Sequence, residues 1–371
     1  MLYLKISKIL LIFVLIFCIV NYSLIIKYEN IESKQMGLED SYKFKNGKLM
    51  KKKLHNVSNS RTQSFKLKYK IRQIIVAIFY GRKLYTEILF RYLDKNLKIN
   101  GGVIDKILIL NFIRGSEEIV KIENDFLNKY LDEHSNGYEQ IKFNKTDSWK
   151  GMYRIFNDDD LIFKIDDDIV FISNGTFEHM IEEYLINDRF ILSANVINHH
   201  SFSVEQAKLK LMLPFSTKDN YTWTIEKEIK TSYTSTCLNH THNWKLKPFC
   251  AAIAHESFLY NFYKNKFNLD SYDFKLYNFN IKSYYRWRIN FILFKGNKLN
   301  KIHTMYPNES LDENIVSDLL PRDTRKKSYG LGKAIVSHFS YSSYGQLEYL
   351  NKTKILAKYD KLSKDYFNSK T

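Results

Sequence analysis

Three consecutive carboxylates, Asp166-Asp167-Asp168, follow the apolar segment Leu161-Ile162-Phe163-Lys164-Ile165 and precede another, Ile169-Val170-Phe171-Ile172. Carboxylates crowded at the end of a buried strand repel one another unless something compensates them. Mg²⁺ or Mn²⁺ does so, taking oxygen ligands that are commonly one or two carboxylates plus substrate phosphates. A solvated acidic turn is the other reading, and Asp158-Asp159-Asp160, with no apolar run before it, is read that way. Two enzyme classes use such a triplet. In one, Asp-x-Asp holds a metal on a nucleoside diphosphate, and the metal stabilises the charge of the leaving diphosphate. In the other, a haloacid-dehalogenase-like phosphatase, the pattern is D-x-D-x-[TV], which Asp166, Asp168 and Val170 match. There the first Asp is a nucleophile and the second an acid/base. That motif follows the first strand of its domain, whereas several strand-like runs precede the triplet here. No convincing later Ser/Thr, Lys and acidic pair follow it in order.

The elements around the triplet alternate. Ile74 to Phe79 is an apolar, β-branched run suited to a buried strand, and Tyr80-Gly81-Arg82 breaks it. Tyr85 to Leu97 has helical spacing. Val103 to Leu110 reads as a strand, and Glu117 to Leu131 as a helix with Ile119, Ile122, Phe126 and Leu127 on one face. Tyr138 to Phe143 reads as a strand, Trp149 to Phe156 as a helix and Leu161 to Ile165 as the strand that runs into Asp166. Thr176 to Leu185 is a helix and Phe190 to Val196 a strand. Such alternation predicts an α/β fold with a mostly parallel sheet and helices on both faces. In folds of that kind ligands bind at the carboxyl ends of strands, where the triplet sits.

Lys5 and Lys8 precede an uncharged run from Ile9 to Ile26, close to the ~20 residues a membrane span needs. No small-residue cleavage pattern follows, so an uncleaved signal anchor is favoured over a cleaved signal. The lysines favour a cytosolic N-terminus. The expected organisation is a cytosolic tail over 1–8, a transmembrane helix over 9–26, a polar stem over 27–68 and a catalytic domain over 69–365. That makes a single-pass type II protein of the Golgi or ER membrane with its catalytic part lumenal. Sequons at Asn144, Asn174, Asn220, Asn239, Asn308 and Asn351 fit a lumenal glycoprotein, with Asn174 too close to the acidic motif to expect modification. The net charge of +17 raises a nucleic-acid reading. Many lysines, among them Lys45, Lys48, Lys51, Lys52 and Lys53, lie ahead of the predicted core, where a stem near a membrane accounts for them. No nucleic-acid partner is expected.

Cys18 lies in the apolar run. Cys237 and Cys250 fall where oxidation is permitted, and a disulfide between them is the first reading. His240 and His242 nearby keep a zinc site open. Trp223 and Trp244 stand in an aromatic, polar stretch that fits an acceptor-binding insertion and irregular core equally well.

IIVAIFYGRKLYTEILFRYL, FKIDDDIVFI and FILSANVIN, with LDENIVSDLLPR and GKAIVSHFSYSSYGQLEYLNKTKILAKY, together resemble a group of poorly characterised fungal and protist GT-A-like glycosyltransferases with a K-x-DDD metal motif. The likeness spans about Ile71 to Leu362. It implies a GT-A-like, Rossmann-like fold, a nucleotide-sugar donor, Mn²⁺ or Mg²⁺, and a glycan, glycoprotein or glycolipid acceptor. Gly81 and Arg82 would border the nucleotide, against a plain turn glycine and surface arginine. Asp166 and Asp168 would supply the metal and ribose contacts, with Asp167 sharing either role. His338 would be a late metal ligand, against a structural histidine on an apolar strand. Asp312 and Glu313 would provide the base for the acceptor hydroxyl, or simply open a helix capped by Ser310. Asn195 and Asn198 would line the acceptor side. A non-catalytic lumenal protein that binds a sugar nucleotide or glycan remains open beside the transferase and the phosphatase.

Overall fold

The computed structural model describes residues 66–113, 115–143, 149–217, 223–225, 233–238, 247–280, 285–341 and 345–368. All lie in one compact unit, Val57–Thr371. The expected tail and span, nearly all of the stem, and also His240, His242, Trp244, Asn144, Asn220 and Asn239, fall outside the described residues. Among the described residues no helix is long and apolar enough to cross a membrane.

A nine-stranded mixed sheet organises the unit. Its strands are β1 (Ile74–Tyr80), β2 (Lys106–Asn111), β3 (Tyr138–Lys142), β4 (Leu161–Asp166), β5 (Ile169–Ile172), β6 (Ile191–Ile197), β9 (Leu276–Asn278), β10 (Phe291–Lys295) and β11 (Ser328–His338); β7 (Phe215–Thr217) and β8 (Trp223–Ile225) form a separate hairpin. The order is β3-β2-β1-β4-β10-β6-β11-β5, with β9 also on β11. Strands β3, β2, β1 and β4 run parallel, as the alternating pattern predicts. The mostly parallel expectation needs correcting beyond β4. There β10 inserts antiparallel to both β4 and β6, and β5 and β9 pair antiparallel with β11. β1 is buried along its whole length, so both faces of the sheet are covered.

Six longer helices accompany the sheet: α1 (Lys83–Asn96), α2 (Glu117–Glu133), α3 (Thr176–Ile186), α4 (His200–Lys208), α5 (Phe249–Lys264) and α6 (Ile355–Asn368). Residues Trp149–Ile155 form a 3₁₀ turn rather than an α-helix. The expected buried face of α2 is only partly realised. Leu127 is buried, but Ile119 and Ile122 are about half exposed, because α2 lies beside the β2–β3 edge of the sheet. Asp160 also departs from the solvated-turn reading. It is fully buried, and both its oxygens accept from Arg72, Oδ1 at 2.8 Å and Oδ2 at 2.7 Å.

Candidate active site

β4 ends at Asp166, and only Asp167 and Asp168 separate it from β5. β5 does not pair with β4; it pairs with the end of β11. A two-residue link cannot carry β5 far, so the last residues of β11 are drawn back to the carboxyl end of β4. A register shift between Ser337 and His338 sets His338 opposite Ile169, and the Phe339 N–H donates to the Asp168 carbonyl at 2.8 Å. A bulge of this kind re-aims a side chain. Here it brings His338 against Asp168, 170 positions away in the chain.

The triplet, Gly81, Arg82, Asp312, Glu313 and His338 all line one cavity of about 540 Å³. The structure therefore gathers every site residue that the sequence suggested in the β1, triplet and C-terminal segments. Gly81 N–H donates to Asp167 Oδ2 at 2.9 Å. Arg82 Nη2 lies 2.5 Å from Asp167 Oδ1 and 2.9 Å from Asp168 Oδ2. Asp167 is thus turned toward the start of α1, whose helix dipole and Arg82 both favour a carboxylate. Burial nevertheless pushes Asp167 above the usual carboxylate range, against the pull of Arg82. Burial also opposes ionisation of Asp168, but His338 and Arg82 overcome it and hold this carboxyl well below that range.

Asp166 is the most open of the three. Lys164 holds its Oδ1, and Asn290 Nδ2 donates to its Oδ2 at 2.8 Å. Lys164 is buried, donates to the Ile289 carbonyl at 3.0 Å and lies over the Phe79 ring. Burial would weaken its charge, but Asp166 and Asp312 sustain it. Tyr341 OH donates to Asn290 Oδ1 at 2.9 Å, closing a chain from Lys164 through Asp166 to Tyr341.

Asp312 sits on the same cavity. Tyr153 OH donates to its Oδ2 at 2.9 Å, and the Glu313 N–H donates to its Oδ1 at 2.9 Å. Burial raises this carboxyl above its ordinary range, against the lowering pull of Lys164 and Tyr153. Glu313 is differently placed: Arg286 Nε lies 2.6 Å and Arg288 Nη1 2.9 Å from its two oxygens. A π turn, Ile315–Leu319, follows directly, and Ser317 Oγ donates to the Glu313 carbonyl at 2.5 Å. The residue before the short helix Asp312–Asn314 is Leu311 and no side chain caps it, so the expected Ser310 cap is absent.

Two expectations fail. Asn195 and Asn198 are fully buried and do not line the cavity. Asn195 Nδ2 donates to the carbonyls of Tyr272 and Gly332, and its Oδ1 accepts from Gln206. Asn198 has a left-handed φ of 63° and donates to the Phe339 carbonyl. Both tie backbone together. In return the cavity is lined by Arg288, Asn290 and Tyr341, with Tyr153 bonded to Asp312 behind it, none of which the sequence marked as functional; Lys164, the lysine of the K-x-DDD pattern, lines it too.

Several observations fit a divalent cation. Asp166, Asp168 and His338 can place one ligand atom each within 4.8 Å of one another. Five carboxylates line the cavity, and Arg82, Lys164, Arg288 and, behind Glu313, Arg286 are the cations paired with them. Asp168 Oδ1 and His338 Nδ1 are buried without a hydrogen-bond partner among the described residues. Oδ1 lies 3.0 Å from His338 Nε2, yet not in hydrogen-bond geometry. That spacing suits two ligands of one octahedral ion, which lie about 3 Å apart when each bond is ~2.1 Å.

The triplet ends the fourth described strand, not the first, which removes the structural premise of the phosphatase reading. Cys237 and Cys250 form the expected disulfide. No family model matches the chain. No curated protein matches it either. Among solved structures it is similar to a crystal structure of GalNAc-T7 with UDP, GalNAc and Mn²⁺, with a TM-score of 0.39 and 6% identity. The likeness covers 80% of this chain and 50% of that one, so the chain spans about half the length of that neighbour.

Proposed function

We propose that the chain is a metal-dependent glycosyltransferase that moves a sugar from a nucleotide-sugar donor to a glycan, protein or lipid acceptor. The observation that carries this reading is the shared cavity, where Asp166, Asp168 and His338 can bring three ligand atoms together beside a half-buried carboxylate suited to act as a base, Asp312. A divalent ion there would neutralise the donor diphosphate as its bond to the sugar breaks. Arg82 adds a fixed cation beside the same phosphates, and Gly81 leaves room for them. Asp312 takes the proton of the acceptor hydroxyl while that oxygen bonds to the anomeric carbon; the electron pair of the broken C–O bond leaves on the diphosphate. Tyr153 holds Asp312 in orientation through its hydrogen bond. Glu313, committed to Arg286 and Arg288, positions Arg288 on the cavity wall rather than moving protons.

We place this activity in the lumen of the Golgi or ER, on a domain of about residues 69–365 behind a stem and an N-terminal anchor. The Cys237–Cys250 disulfide supports an oxidising compartment. The deciding experiment screens nucleotide sugars for Mn²⁺-dependent turnover. Loss of turnover and of nucleotide binding in Asp168→Ala is expected. Absence of turnover with every donor, together with unchanged nucleotide binding in Asp168→Ala, would sink the proposal. Tight donor binding without turnover would leave the non-catalytic binding protein.

A further inference from the structure

We infer that Arg82 determines which divalent ion the Asp166–Asp168–His338 group accepts, by leaving Asp168 a single oxygen to offer. The inference rests on the metal-dependent reading above.

The guanidinium has little freedom. Its Nε lies 3.2 and 3.3 Å from the two Asp167 oxygens, Nη2 bonds Asp167 Oδ1 at 2.5 Å, and the group lies 5.0 Å from the Tyr85 ring centroid. From that seat Nη2 reaches Asp168 Oδ2 at 2.9 Å. The other oxygen, Oδ1, is the one without a hydrogen-bond partner, and it faces His338 Nε2 at 3.0 Å. Asp168 is therefore divided: its outer oxygen belongs to Arg82 and its inner one is available. Asp166 is held more fully, with Oδ1 on Lys164 and Oδ2 on Asn290, so it meets an ion through a lone pair left on one of them. Closing on an ion with both oxygens would require Asp168 to give up Arg82, and Asp166 to weaken its hold on Lys164 or Asn290.

This matters because the candidate ions differ in what they require. Ca²⁺ takes six to eight oxygens and readily uses carboxylates through both, whereas Mg²⁺ holds six ligands near 2.1 Å and keeps waters and substrate phosphates among them. Imidazole nitrogen suits transition ions better than Ca²⁺. Two single carboxylate oxygens and one imidazole are a poor cage for Ca²⁺ and an adequate partial shell for Mn²⁺.

The test measures Mn²⁺ binding to the full chain without donor, by the resonance signal of free Mn²⁺, with Ca²⁺ as competitor. In the wild type Ca²⁺ should compete at least ~10-fold more weakly than Mn²⁺. Arg82→Met frees the outer oxygen of Asp168, and the preference for Mn²⁺ should fall about tenfold or more. Arg82→Gln removes the charge that holds that oxygen while keeping an amide in its place, and should move the ratio the same way. It decides the matter if Arg82→Met folds poorly. A wild-type chain that binds neither ion overturns the metal-dependent reading, and this inference with it. Mn²⁺ binding with an unchanged ratio in the folded variants overturns the role of Arg82 alone.

Discussion

Asp312 and Glu313 are neighbours in sequence with opposite surroundings. Glu313 is compensated by two guanidiniums, while Asp312 is half-buried and receives one hydroxyl and one backbone N–H. If Asp312 is the base, Asp312→Asn should lower kcat roughly 10²- to 10⁴-fold with donor binding retained. Tyr153→Phe gives a finer check. Its hydroxyl lowers the affinity of Asp312 for protons, so removing it should move the acid limb of the rate profile to higher pH. The carboxylate form is the active one, so activity at a fixed mildly acidic pH should drop. An unmoved limb in a folded Tyr153→Phe enzyme would exclude Asp312 as the titrating group. Gly81 carries a separate prediction. A Cβ there would meet Asp167 Oδ2 at 3.6 Å and the Phe112 carbonyl at 3.7 Å, ordinary contacts, and its φ is not left-handed. The fold does not require glycine, so Gly81→Ala should melt as the wild type does while binding donor about tenfold more weakly, ~1.4 kcal/mol. Equal loss of stability and binding would return Gly81 to a purely structural turn. The triplet was legible because apolar runs flank it on both sides. Arg288, Asn290 and Tyr341 were not, because nothing local distinguishes them; their place is set by strand pairing across more than a hundred residues.

At the level of elements, the sequence pattern predicts β1 to β4, α1 and α2 within a few residues, but not the 3₁₀ turn at Trp149–Ile155. It could not foresee β10. Phe291–Lys295 lies beyond the alternating run that the pattern resolves, and the tertiary fold inserts it antiparallel between β4 and β6. That insertion carries Asn290, and Arg288 just ahead of it, to the carboxyl end of β4. Another element-level feature is the docking of α5 against β11 and α6 through His255. This ring is fully buried, with Nε2 2.8 Å from the Phe339 carbonyl and Nδ1 3.0 Å from Tyr359 OH. The carbonyl can only accept, so the ring carries a proton on Nε2. Burial lowers His255 to about 4, and burial also lowers His199, in the turn before α4, to about 3. Both folded-state values lie below the ~6.5 of an unfolded histidine. The unfolded chain therefore binds protons first as pH falls. The stability these rings contribute is complete above ~6.5 and is lost progressively as pH drops toward their folded values. Roughly 2 kcal/mol per ring should be gone by pH 5. Denaturant midpoints between pH 7 and pH 5 should show it, and His255→Gln should flatten the slope. A slope unaltered in a folded His255→Gln chain would assign the acid sensitivity elsewhere.

For the whole molecule, the disulfide bears on where the chain resides. Cys237 and Cys250 are both fully buried in a small apolar cluster with Phe215, Tyr233, Phe249 and Ile253, separate from the main core under the sheet. A cluster this small gains much from a covalent tie, and a bridge spanning 13 positions should contribute about 3 kcal/mol. Protein directed into an oxidising lumen should therefore show two fewer free thiols than protein made in a reducing cytosol, and should melt higher. Cys237→Ser should erase that difference, because the unpaired Cys250 then packs in either preparation as a small apolar side chain. The apolar run over 9–26 supplies the matching topological prediction. If it anchors the chain with the N-terminus cytosolic, protease added to sealed microsomes should spare residues 69–365 until detergent is present. Digestion of that domain in sealed vesicles, with Cys237 and Cys250 found reduced, would put the cleft in the cytosol. The acceptor would then have to be sought among cytosolic molecules rather than lumenal glycans, while the chemistry proposed for Asp166, Asp168, His338 and Asp312 would stand unaltered.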